Sequence, residues 1–125
     1  SNKKAAKYFF KIKTIGSRTA KAKSIFDDLE KNKYVDITSK NDFINAFTGS
    51  EPTSKINWIG DFGDLQTLIN YCISSGFIEK TSSKWVITSN IFVSKGINFD
   101  NREISGTKET LSKDKIIRLI NRALN

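Results

Sequence analysis

The chain has 125 residues, 38% hydrophobic and 27% charged, with a net charge of +8, which supplies the apolar bulk for one core and separates it from disordered polar chains. It has no histidine and one cysteine, Cys72; it thus lacks the commonest general base and a zinc ligand set, so no enzyme activity, metal or other cofactor is expected. No apolar run reaches the roughly 20 residues that span a bilayer and no signal-peptide pattern follows the basic start, so the expectation is a cytoplasmic piece of a longer protein with no membrane partner.

Residues 1–23 hold Lys3, Lys4, Lys7, Lys11, Lys13, Arg18, Lys21 and Lys23 and no acidic residue, and these eight equal the whole net charge. Two readings stand side by side. The segment is an arm that neutralises phosphates, with Lys11, Lys13, Arg18, Lys21 and Lys23 as candidate DNA contacts, or it is a solvated flank. Within it, Phe10 and Ile12 alternate with lysines as in a strand, while Ala5, Phe9 and Ile12 fit a helical stripe; the helix is favoured. Gly16-Ser17 breaks the pattern. Ser17 suits the N-cap of a helix over residues 18–33, with Ala22, Ile25, Phe26 and Leu29 on one face and Asp27, Asp28, Glu30 and Lys31 opposite.

Tyr34 to Thr38 is a short β-rich segment, and Ser39 is a candidate cap for a helix carrying Phe43, Ile44, Ala46 and Phe47. A loop from Gly49 to Ser54 leads to Ile56-Asn57-Trp58-Ile59, a strand or an anchored loop. Gly60-Asp61 opens the next helix, where Leu65, Leu68, Ile69, Cys72 and Ile73 repeat until Gly76, and Cys72 in that stripe reads as a buried thiol. Phe77 to Lys80 and Lys84 to Thr88, joined by Thr81-Ser82-Ser83, read as a hairpin. Asn90 to Val93 extends it or opens another element. Gly96 to Thr110 is the least regular stretch, and Ser112 caps a final helix with Ile116, Ile117, Leu119, Ile120, Ala123 and Leu124. Trp58 and Trp85 lie in apolar segments and are assigned to the core.

The order helix, strand, helix, loop, helix, hairpin between Arg18 and Thr88 resembles a winged helix-turn-helix. Leu65, Leu68, Ile69, Gly76, Phe77, Ile78, Glu79 and Lys80, then Trp85 to Thr88, look like its recognition helix, glycine turn and wing. A narrower likeness, from Lys55-Ile56-Asn57-Trp58-Ile59-Gly60 through Leu65, Gly76 and Phe92 to the basic last helix, resembles the C-terminal region of RteC-type regulators of conjugative transposons and related mobile-element proteins. It implies transcriptional or excision control through DNA. The expected fold class is α+β, a mainly helical winged-helix-like domain with a small antiparallel β-hairpin and a C-terminal helix. Residues 1–125 form a single domain, with a basic segment at 1–17, the winged-helix core at 18–88 and an extension at 89–125.

On that reading the candidate DNA contacts are Gln66, Thr67 and Asn70 of the third helix, Lys80 and Lys84 of the wing, the N-terminal cations, and Arg118 and Arg122 of the last helix. Electrostatics argues against base readout by the third helix. It begins with Asp61 and Asp64, and no Lys or Arg occurs between Ile56 and Glu79. Double-stranded DNA is therefore one expected partner and another protein domain or subunit the alternative. Asp61-Phe62-Gly63 matches a kinase tripeptide in letters only, and no phosphate-binding glycine loop or Glu-x-Lys nuclease triplet occurs.

Overall fold

The computed structural model describes residues 8–11, 18–108 and 113–125. Its first helix, α1 (Arg18–Lys31), follows from the apolar repeat: Ala22, Ile25, Phe26 and Leu29 recur at helical spacing and are fully buried, while Lys23 and Asp27 face outward. Lys33 adopts the left-handed conformation, φ 65°, just past its end, and the Tyr34 N–H donates back to the Leu29 carbonyl at 2.9 Å. Val35 then makes an antiparallel bridge with Trp58. A 3-10 turn, Ile37–Ser39, is capped by Asp36, whose Oδ1 accepts from the Thr38 N–H at 3.0 Å. It leads into α2 (Lys40–Ala46), which buries Phe43 and Ala46. Ser39 stands at the head of α2 as expected, yet its buried hydroxyl accepts from the Asn57 N–H at 3.0 Å instead of capping the helix.

Next come β1 (Ile56–Trp58) and α3 (Phe62–Ser74), which ends before Gly76 at φ 82°. They are followed by α4 (Lys84–Ile91), β2 (Phe92–Ser94), α5 (Asn101–Ser105) and α6 (Lys113–Leu124). β1 and β2 pair in parallel, Ile56 beside Phe92 and Trp58 beside Ser94. Parallel strands need a long crossover, and α3 and α4 provide it. α6 packs on α3 and α1, α1 on α2, and α5 on α4 and α3. One cluster of buried side chains runs from Phe10 to Ile120. No helix of the described residues is long and apolar enough to cross a membrane.

The α+β class and the C-terminal helix agree with expectation; three local expectations do not. The antiparallel hairpin over Phe77 to Thr88 is absent, because Lys84–Ile91 is helical and the sheet that forms is a parallel pair. Trp85, Val86, Ile87 and Thr88 favour a strand locally, but burial of Ile87, Thr88 and Ile91 selects a helical repeat. The Thr88 hydroxyl, donating to the Lys84 carbonyl at 2.7 Å, is satisfied within that helix. Tyr8 to Lys11 is not helical: the Phe10 N–H donates to the Ala46 carbonyl and the Lys11 carbonyl accepts from the Glu79 N–H, both at 2.7 Å. Gly96 to Thr110 contains α5, started by a capping box in which Asp100 accepts from the Arg102 and Glu103 N–H groups. The rest of the N-terminal segment, with Ile12 to Ser17, and the Ser112 cap lie outside the described residues.

Trp58 anchors the centre. It is fully buried, its Nε1–H donates to the Asp61 carbonyl at 2.9 Å, and its ring stacks on Tyr34 with centroids 5.5 Å apart. Gly60 lies against both rings; a Cβ there would sit 2.6 Å from Tyr34 Cδ1. Gly60→Ala is accordingly expected to lose about 1–3 kcal/mol of stability in urea unfolding, since the rings have to shift. The turn Ser94-Lys95-Gly96-Ile97 has positive φ at both central residues, 50° and 80°, with reciprocal Ser94–Ile97 hydrogen bonds. That is a type I′ turn, in which Asn-Gly is preferred. Lys95→Asn should raise the melting temperature by recovering part of the roughly 1 kcal/mol that an ordinary side chain loses in the left-handed region.

Candidate nucleic-acid interface

Phe10 is the plug that brings the N-terminal segment onto the fold. Its buried ring lies 5.3 Å from that of Phe47, and the hydrogen bonds to Ala46 and from Glu79 hold the backbone on either side. As a result Lys11 and Lys80, far apart in sequence, line one cleft of about 160 Å³ together with Glu79. Both lysines are exposed. On α1, Lys21 is half-buried and Lys23 exposed, and neither lines this cleft. Arg18 opens α1, and Lys13 lies outside the described residues.

The other expected contacts fare differently. Gln66 and Thr67 are buried, because α5 and α6 cover α3. Gln66 Nε2 donates to the Thr107 carbonyl at 2.8 Å and to the Ile104 carbonyl at 3.3 Å, and the Thr67 hydroxyl donates to the Gly63 carbonyl at 3.0 Å. Reading bases with these groups would expose the helix face that carries the core, so, contrary to expectation, burial keeps Gln66 and Thr67 from contacting DNA. Asn70 is half-buried, and its Oδ1 accepts from Lys84 Nζ at 2.7 Å. Lys84 belongs to α4, not to a wing, and its ammonium also lies 4.9 Å from the centroid of the half-buried Trp85 ring. The part of α3 that reaches the surface, with Asn70, Tyr71 and Ser74, meets Lys113 and Ile117 of α6 across a groove of about 210 Å³.

A second cationic surface lies on the far flank of α6. Lys115, Arg118 and Arg122 line a groove of about 220 Å³ with Leu119 and with Asn32 from the end of α1. Arg122 Nε stands 3.7 Å from Asp28 Oδ2, a loose contact of a largely exposed guanidinium. Lys115 Nζ lies 5.7 Å from the centroid of the Tyr34 ring. Burial, with the nearby Asp64 and Asp61 carboxylates, raises the Tyr34 hydroxyl above its ordinary range. Arg118 and Arg122 are named from sequence; Lys115 and Asn32 are not. The spacing of Lys115, Arg118 and Arg122 is a helical stripe and carries the signal for Lys115, whereas Asn32 joins only through the packing of α1 on α6.

Burial pushes the Cys72 thiol up to about 12, which keeps it in the un-ionised, unreactive form. Asp61-Phe62-Gly63 is the start of α3, with Asp61 in the N-cap position and the Phe62 ring against Phe99 at 4.9 Å.

Comparison with protein-family models, with curated proteins and with solved structures finds no match to this chain.

Proposed function

We propose that the chain is a cytoplasmic DNA-associated regulatory domain that holds duplex DNA by its phosphates and leaves base readout by α3 unused. The observation that carries this reading is the convergence of Lys11 and Lys80 on one cleft. Lys11, one of the cations of the acid-free stretch before residue 24, is thereby held beside a cation of the folded core. Phosphate contacts of this kind supply affinity without sequence information. Glu79 in the same cleft opposes them and keeps the expected affinity modest. The regulatory part of the proposal rests on the likeness to the C-terminal region of RteC-type regulators, from Lys55 through Leu65, Gly76 and Phe92 to the basic last helix.

A second reading, a protein-interaction domain without nucleic-acid contact, is favoured by a different observation. Ile97 is 71% exposed and lines a surface groove of about 270 Å³ with Phe62 and Phe99.

Fluorescence anisotropy with a labelled duplex across a salt series tests the first reading. Binding is expected to weaken steeply with salt and to differ little between sequences. Lys11→Gln with Lys80→Gln should reduce the slope of log K against log salt by about 2, at roughly 0.9 per phosphate contact. No binding at low salt, or binding indifferent to salt, rejects it. For the second reading, Ile97→Lys should abolish capture of a partner by the full-length protein while leaving its melting temperature unchanged. A strict monomer whose interactions ignore this substitution rejects that reading.

A further inference from the structure

We infer that the groove between the end of α1 and the outer flank of α6 is a docking site for consecutive phosphodiesters of one DNA strand, a site separate from the Lys11–Lys80 cleft. The inference rests on the reading of the chain as DNA-associated and specifies where that DNA lies. Lys115, Arg118 and Arg122 occupy i, i+3 and i+7 on α6, which confines them to an arc of about 60° and spreads them over about 10 Å of helix axis. At about 3.4 Å of axial rise per nucleotide in one strand, that length spans about three nucleotide steps.

The direction of the stripe is set by the core. Ile116 and Ile120 on the opposite side of α6 are buried against the fold, and the buried Leu119 borders the groove, so the helix cannot roll and the three cations are held toward the groove. Two of them are arginines, whose planar forks match phosphate oxygens in pairs. From the other wall, the Asn32 side chain is positioned by its Nδ2 donating to the Asp28 carbonyl at 2.8 Å, which leaves its second amide hydrogen for a ligand. Next to it, Lys33 is held left-handed at φ 65° and exposed, in a position where glycine or asparagine is the strain-free choice.

Helix stability accounts for Arg122, the basic residue of the last turn of α6, but not for Lys115. Lys115 lies in the first turn of α6, where the helix dipole disfavours a cation, and Asp114 is the acidic residue of that turn. Asp28, at 3.7 Å from a largely exposed Arg122, offsets one charge only in part. Among the described residues Arg118 has no ion-pair partner.

The test compares the wild-type chain with Lys115→Gln/Arg118→Gln/Arg122→Gln in duplex anisotropy over a salt series. All three side chains are exposed, so an unchanged melting temperature is expected. The slope of log K against log salt should shrink by about 2 to 3, at roughly 0.9 per lost phosphate. If the triple variant fails to fold, Lys115→Gln/Arg118→Gln, which keeps the Arg122–Asp28 contact, should shrink it by about 2. In parallel, titrating wild type with duplex should move the Asn32 side-chain amide and the Arg118 and Arg122 Nε–H resonances. Wild-type binding with an unaltered slope in the variants and unmoved resonances overturns this groove while leaving DNA association through Lys11 and Lys80 standing. No binding by wild type overturns the DNA reading itself. Binding to vesicles of anionic lipid with none to duplex also overturns the site as proposed.

Discussion

The burial of one indole organises the centre of the molecule. Trp58 is the last residue of β1, and it sits where four chain segments meet. Its ring stacks on Tyr34 and meets the edge of Phe92, while its backbone pairs with Val35 on one side and its carbonyl accepts from the Lys95 N–H on the other. A buried indole must also place its N–H, and the Asp61 carbonyl at the head of α3 accepts it. The parallel pairing of β1 with β2, the entry of α3 and the path of the segment after α1 thus share one fixed point. Gly60 is the consequence for sequence: the chain must turn between Trp58 and Asp61 with no room for a side chain against the Tyr34 ring.

With α3 started from that point, its next two turns lie inside the fold. Gly63 through Ile69 are all buried, polar Asp64, Gln66 and Thr67 among them. Polar groups in such a position are tolerated when they are hydrogen-bonded, and Gln66 and Thr67 meet that condition through backbone carbonyls. This part of the helix holds the core together, while Asn70, Tyr71 and Ser74 further along reach the surface. The chemistry available to a partner is pushed to the periphery, to the lysines around the plug at Phe10 and to the outer flank of α6. On the proposed DNA reading, an apolar centre with a cationic rim suits recognition of phosphates, which are reached from outside, better than recognition of base edges, which calls for a protruding element.

Much of this is legible in the sequence. The stripes Ala22–Ile25–Phe26–Leu29, Leu65–Leu68–Ile69–Cys72 and Ile116–Leu119–Ile120 all mark buried faces of helices, because helical pitch alone decides which residues share a side. The Asp100–Glu103 capping box is equally visible in the sequence, yet the helix that it starts is only five residues long and lies in the least regular stretch. Lys84–Ile91 was not legible in the same way. Its tryptophan, valine, isoleucine and threonine prefer extended backbone, and the helix exists because Ile87 and Ile91 are buried in the core and α4 packs on α5. The candidate site divides along the same line: the α6 stripe is a matter of spacing, whereas the meeting of Lys11 with Lys80 depends on where Phe10 is buried.

By itself the sequence determined that the chain has a helical apolar core, that its net charge is carried by its first 23 residues, and that histidine chemistry is absent. These are local or compositional properties, and they hold whatever the segments pack against. Only the tertiary structure decided that β1 and β2 run parallel, that the second strand of the expected hairpin is a helix, and that Gln66 and Thr67 of α3 are buried beneath α5 and α6. Each of those outcomes turns on contacts between residues distant in the chain. There, burial of large side chains outweighs the small preferences of individual residues for helix or strand.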